Sequence, residues 1–92
     1  MDEYRIIRIT DLDGNDRTDG RYPLRIGRIC KKPKAVNGGH MILEYLRNRD
    51  GSDYSNKILY ESVVSNVCSY DNGNIVVYTT DSIYTFEKVV NV

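Results

Sequence analysis

The 92-residue chain reads as an all-β domain, a small antiparallel barrel of five to six strands. Three observations lead there. The stretch Val67 to Phe86 alternates β-branched and aromatic runs with turn residues: Val67-Cys68-Ser69-Tyr70, a turn at Asp71-Asn72-Gly73-Asn74, Ile75 to Thr80, a turn at Asp81-Ser82, then Ile83-Tyr84-Thr85-Phe86. Asn72-Gly73 is a strong hairpin signal, because both central residues of a type I′ turn need positive φ and these two tolerate it. Runs of Val, Ile, Tyr and Thr fit a pleated, half-buried surface. Finally, no stretch sustains a helical period.

Taken in order, Tyr4 to Thr10 is the first strand. Ile7 and Ile9 alternate with Arg8 and Thr10, which predicts one buried and one wet face. Leu12 to Tyr22 is a polar loop rich in Asp, Asn and Gly, long enough to suggest function or mobility. Pro23 cannot donate to a ladder and marks a strand start, giving Leu24 to Cys30 as the second strand. Leu24 and Ile26 share a face that Ile29 does not, so a bulge is expected near Gly27. Lys31 to Gly39 is a second long loop. His40 to Arg47 is apolar on both parities except at Glu44, the pattern of a central strand. Asn48 to Asp53 is a turn cluster and Ile58-Leu59-Tyr60 a short strand end. Glu61 to Ser65 fits a helical turn or a bent strand equally well. After the meander, Lys88 to Val92 extends the last strand or frays.

A long loop after the first strand, then a meander, a short turn and a final strand fit an SH3-like barrel. Closure would remove the open edges that invite aggregation. An OB-fold is the second choice, disfavoured because no helix is evident between strands three and four.

The length accommodates a single domain, residues 1–92, with one core and little room for a deep enzyme cleft. The apolar fraction of 40% and charged fraction of 28% are those of an ordinary soluble domain. No apolar run approaches the roughly 20 residues that span a bilayer, so no membrane partner is expected. The acidic start Met1-Asp2-Glu3-Tyr4 is not a signal peptide. With no secretory signal, Cys30 and Cys68 are expected as free thiols and the compartment as the cytoplasm. Net charge is zero but unevenly spread. Residues 1–34 hold nine Lys/Arg and six Asp/Glu, and residues 35–92 hold four and seven. Arg21 to Lys34 carries six basic residues and no acid.

Three segments carry a resemblance: Arg21-Tyr22-Pro23-Leu24-Arg25-Ile26-Gly27, Leu43-Glu44-Tyr45 and Thr80-Asp81-Ser82-Ile83-Tyr84. In their order the chain resembles short SH3-like barrel proteins of Firmicutes and their phages, which implies an adaptor or an inhibitor of host machinery and a link to phage or mobile elements. No residue-specific role follows from it.

Catalytic and metal chemistry find little support. Asp11-Leu12-Asp13-Gly14-Asn15-Asp16 hints at a calcium loop. Counted from Asp11, however, position 6 is Asp16 and position 12 is Tyr22, where that loop needs Gly and Glu. Asp50-Gly51-Ser52-Asp53 likewise reads as a turn. His40, the only histidine, has no local cysteine or serine partner for a zinc site or a nucleophile, and no phosphate-binding glycine loop is present. No enzyme, cofactor or metal is expected. The remaining function is binding. The basic run supplies Arg21, Arg25, Arg28, Lys31, Lys32 and Lys34. The tyrosines at loops and strand ends, Tyr22, Tyr54, Tyr60 and Tyr70, supply contact area at low entropic cost. Tyr45, Tyr78 and Tyr84 are assigned to the strands and the core. The preferred reading is a noncatalytic protein–protein module: an adaptor, a subunit or an inhibitor. The alternative is a nucleic-acid-binding barrel using residues 21–34, which zero net charge disfavours. A third is self-association through an edge strand.

Overall fold

The computed structural model describes residues 2–90. Six antiparallel strands close into a barrel in sequence order: β1 (Glu3–Thr10), β2 (Ile29–Lys31), β3 (His40–Arg47), β4 (Ile58–Ser69), β5 (Ile75–Thr79) and β6 (Ile83–Val89). The ring closes where β1 pairs with β6 from Glu3↔Val89 to Thr10↔Ile83. It is the small all-β barrel expected, SH3-like in form. Every strand has a neighbour on both sides, so the edge route to self-association has no open edge strand among the described residues. Among these residues no helix is long and apolar enough to cross a membrane. At the chain's end β6 runs to Val89, and residues 91–92, expected to extend it or fray, lie outside the described residues.

Period-two alternation builds the core. Met41, Leu43 and Tyr45 of β3, Ile75 and Val77 of β5, and Tyr84 and Phe86 of β6 all point inward and are buried. Tyr84 and Phe86 stack at 6.1 Å between ring centroids. Cys30 is buried among them as a free thiol; Cys68 is also free and only half-buried.

Two local expectations are corrected, one is displaced along the chain, and the open choice at 61–65 is settled as a bent strand. On β1 the buried residue is Ile6, whereas Ile7 is exposed. A register shift against β6 between Ile6 and Arg8 moves the parity by one, which returns Ile9 to the core. The predicted strand Leu24 to Cys30 is largely absent. Tyr22–Arg25 is a single helical turn, α1, and β2 keeps only Ile29–Lys31. Pro23 sits at the first helical positions, where its fixed φ is already helical and no N–H is needed. The bulge expected near Gly27 falls at Ile29/Cys30, where the register against β3 shifts, and Gly27 itself has a different part. It takes φ +89°, turning the chain out of α1 so that its N–H donates to Ile6 O at 2.8 Å. Ile58 to Ser69 is one continuous strand. Its first half pairs with β3 and its second with β5, so β4 bends across the barrel corner.

The hairpin is where predicted, but its turn is not type I′, because no residue other than glycine has positive φ. Gly73 N–H donates to Tyr70 O and Tyr70 N–H donates to Asn74 O, each at 2.9 Å, with Gly73 at φ +91°. This is the three-residue loop in which a type I turn is followed by a left-handed glycine. The same bonding pattern recurs at Asp11–Asn15 around Gly14 and at Asn48–Ser52 around Gly51. The suspected calcium loop is therefore a hairpin turn, and Asp11 Oδ1 is occupied in accepting the N–H groups of Asp13 and Asn15.

The β1 register predicts opposite costs for adjacent isoleucines. Ile6→Ala is expected to lower unfolding free energy by about 2–5 kcal/mol, and Ile7→Ala by no more than about 0.5 kcal/mol. Urea midpoints of the two variants check this; equal losses would restore the simple alternation.

Candidate functional site

α1 lies between two clefts, with residues of the turn lining each. Pro23 and Ile26 face the larger, of about 530 Å³, together with Ile7, Ile9, Thr18 and the charged residues Arg8, Asp16, Arg17 and Arg49. Much of that charge is spent internally. Arg8 pairs with Asp16 at 3.0 Å, and Arg17 binds Asp19 at 2.7 Å and also donates to Asp81 O and Ser82 Oγ at 3.0 Å.

The smaller cleft, of about 370 Å³, is of different character. Arg21, Arg25, Arg28 and Lys57 line it with Leu24, Tyr45, Tyr54, Ile58 and Leu59, and no carboxylate does. Its wall is fixed from beneath. Glu61 occupies an inward-facing position of β4, and its side chain is only 12% exposed. Arg25 Nη1 donates to Glu61 Oε2 and to Tyr84 Oη, both at 2.8 Å, while Tyr84 Oη–H donates to Glu61 Oε2. Glu61 Oε1 accepts the N–H of Ser62 at 3.1 Å. Burial pushes the Tyr84 phenol well up, and the Glu61 carboxylate beside it adds to the shift. Burial pulls the Arg25 guanidinium down, but Tyr84 and Glu61 more than reverse this, so it stays charged. Arg25 is therefore a tether for α1, and its charge is neutralised within the wall.

Arg28 follows Gly27 and reaches back over the cleft floor. Its guanidinium lies 5.2 Å from the Tyr45 ring centroid and 4.8 Å from that of Tyr54, and Nε donates to Asn48 Oδ1 at 3.3 Å. The two rings contact each other at 5.4 Å. Tyr45 is 3% exposed, and its hydroxyl has no hydrogen-bond partner among the described residues. Burial raises its pKa, and Arg28 close by lowers it part of the way back. A buried hydroxyl left in this state costs about 1–3 kcal/mol.

The structure thus divides the residues singled out from sequence. Arg21, Arg25, Arg28 and Tyr54 meet at the cleft. Tyr22 belongs to the turn itself, sandwiched by Arg17 at 4.1 Å and Arg25 at 4.9 Å. Lys31, Lys32 and Lys34 do not line it. β2 carries the chain away, Lys31 faces Glu3 across the ladder, and Lys34 pairs with Glu44 at 3.3 Å. Tyr60 is exposed on the outer face of β4, in parity with Ile58, and Tyr70 is exposed at the β4–β5 hairpin. Sequence reasoning missed Leu24, Tyr45, Lys57, Ile58 and Leu59 as cleft residues; only the exposed parity of Ile58 and Tyr60 beside Lys57 offered a signal. His40 Nδ1–H donates to Glu61 O, 2.8 Å away, at an exposed position. Among the described residues no group of three or more His, Cys, Asp or Glu could hold a metal ion. Comparison with family models, curated proteins and solved structures returned no match.

Breaking the Arg25–Glu61 pair from one side is expected to cost about 3–5 kcal/mol, because the survivor is left buried and unpaired. Arg25→Met and Glu61→Leu combined should cost less than their sum by about 1–3 kcal/mol. A double-mutant cycle in urea checks this; strict additivity would mean that the pair is not coupled. Alkali offers a second check. Burial pushes the Cys30 thiol up to about 12, and Tyr84 is raised too. Both are raised in the fold, so their contribution is complete at neutral pH. It is lost as pH climbs past the ordinary thiol and phenol values, at up to about 1.36 kcal/mol per pH unit per group. The urea midpoint should therefore fall between pH 8 and 10.5, with a shallower fall in Cys30→Ala; a flat profile would contradict the burial.

Proposed function

We propose that the protein is a noncatalytic binding module that grips an acidic segment of a partner protein in the smaller cleft. The observation that carries this reading is the lining itself: four basic residues and no acid, around an apolar floor. Glu61 neutralises only Arg25, so Arg21, Arg28 and Lys57 leave a local positive field in a protein of zero net charge. The partly enclosed walls strengthen that field relative to open water. Leu24 and Ile58 line the cleft, are exposed, and suit apolar side chains flanking an acidic residue.

Two features make nucleic acid the weaker reading. Base stacking needs free aromatic faces, and Arg28 lies over both Tyr45 and Tyr54. A phosphate track needs a continuous line of cations, and the run 21–34 is split between the cleft and the far end of β2. A cytoplasmic adaptor or inhibitor, as the likeness to Firmicutes and phage barrels implies, accords with such a cleft.

The test titrates labelled peptides that alternate Glu with Leu or Phe, their Lys counterparts, and single- and double-stranded oligonucleotides at two salt concentrations. Acidic peptides are expected to bind, and Arg21→Glu with Lys57→Glu to weaken them by roughly tenfold or more. Tighter, strongly salt-dependent oligonucleotide binding would transfer the function to the nucleic-acid reading.

A further inference from the structure

The cleft floor holds a polar atom that the fold leaves without use. Tyr45 arrives there because β3 alternates inward at Met41, Leu43 and Tyr45, and the ring forms part of the core. Its hydroxyl is buried and makes no hydrogen bond of ordinary geometry to a described residue, although the Arg28 guanidinium lies close enough to favour its ionised form. Phenylalanine would fill the same space without that penalty, so packing alone does not account for the oxygen. Above it Arg28 is only lightly held. Its Nε reaches Asn48 at the long distance of 3.3 Å, and among the described residues Nη1 and Nη2 have no carboxylate partner and nothing closer to a hydrogen bond than the guanidinium's approach to the Tyr45 phenol. A neutral O–H donor and a planar guanidinium with two free nitrogens, side by side on an apolar floor, are complementary to an oxyanion.

We propose that Tyr45 Oη and the two terminal nitrogens of Arg28 form an oxyanion subsite, which takes a carboxylate or phosphoryl group from the bound segment. The inference rests on the peptide-binding reading and specifies which group of the segment enters deepest. Arg28 covers the phenol in the free protein, so binding requires its guanidinium to turn from the Tyr54 face toward the cleft. The turn gives up two aromatic contacts and one long hydrogen bond, and in exchange a bidentate, charge-assisted pair forms and the orphan hydroxyl gains an acceptor. Arg21 and Lys57 at the same cleft supply further positive charge, which would favour a phosphoryl group over a carboxylate if the segment carries one.

The experiment follows the Arg28 Nε–Hε resonance of the full chain while sodium acetate, or inorganic phosphate, is added at constant ionic strength against sodium chloride. The expected result is a saturable shift with at least one of the two anions that chloride does not give; which anion acts tells the carboxylate source from the phosphoryl one. Tyr45→Phe should weaken that binding by about tenfold, yet unfold at an equal or higher temperature. Arg28→Lys, which keeps the charge and loses the fork, should weaken it as well and serves alone if Tyr45→Phe fails to fold. No saturable shift with either anion, or unchanged anion affinity in the variants, overturns the subsite. Acidic peptides that bind Tyr45→Phe as tightly as the parent also overturn it while leaving the peptide-binding reading intact. Anions that depend on Tyr45 beside peptides that never bind would do the reverse.

Discussion

A carboxylate in the barrel wall sets the constraint from which the rest follows. Glu61 stands on the inward parity of β4, where a small barrel would ordinarily place an aliphatic residue. A buried carboxylate is tolerated only when it is paired and its lone pairs are filled. Arg25, Tyr84 and the Ser62 N–H meet that requirement together. Because Arg25 belongs to α1, the requirement also fixes where the helical turn lies. A single turn has too few internal hydrogen bonds to persist alone. It is held by this tether, by Tyr22 between two guanidinium groups, and by Gly27 bonding back to Ile6. The two clefts exist because that turn is held between them.

The remainder of the frame relies on repetition. Three of the connections use one device, a type I turn closed by a left-handed glycine, with an Asp or Asn side chain accepting a nearby N–H. The one at Tyr70–Asn74 joins β4 to β5, and the other two fold the chain back into the single bridges Thr10↔Asp16 and Arg47↔Asp53. Bulges at Ile6/Arg8 and Val64/Asn66 then bend the sheet enough to close. The long strand β4 carries most of this curvature, pairing with one neighbour along each half.

Strand existence was legible from the sequence because β3, β5 and β6 are short runs rich in β-branched, aromatic and apolar residues bounded by turn residues. Legibility failed where a charged residue took an inward position or where glycine changed the register. Glu61 made 61–65 ambiguous, since a charge on the core parity breaks the period-two signal. Ile6 and Ile7 are both isoleucine, so only the partner strand could reveal which one the bulge expels. Leu24-Arg25-Ile26 has an apolar alternation that suits a strand, whereas in the fold Tyr22–Arg25 is a helical turn whose Arg25 is bonded to Glu61, a partner remote in sequence. The cleft was half legible for a related reason. Three of its four basic residues lie between Arg21 and Arg28, whereas Lys57 and the floor come from β3, β4 and the segment between them and are brought together only by closure.

The same assembly explains why counting charges along the chain misjudges the binding surface. Three arginines at spacings of four and three residues read as one patch. In the fold each has a different role: Arg25 is neutralised in the wall, Arg28 lies flat on two aromatic rings, and Arg21 projects at the rim. Lys57, remote in sequence, restores the charge that Arg25 gives up. At physiological ionic strength exposed charges are screened over about 8 Å. The lysines beyond β2 therefore add little to the cleft, while those lining it act together behind low-dielectric walls. A chain with zero net charge can in this way attract an acidic ligand at one cleft without drawing polyanions to the rest of its surface, and selectivity of that kind favours a protein segment over a nucleic acid backbone.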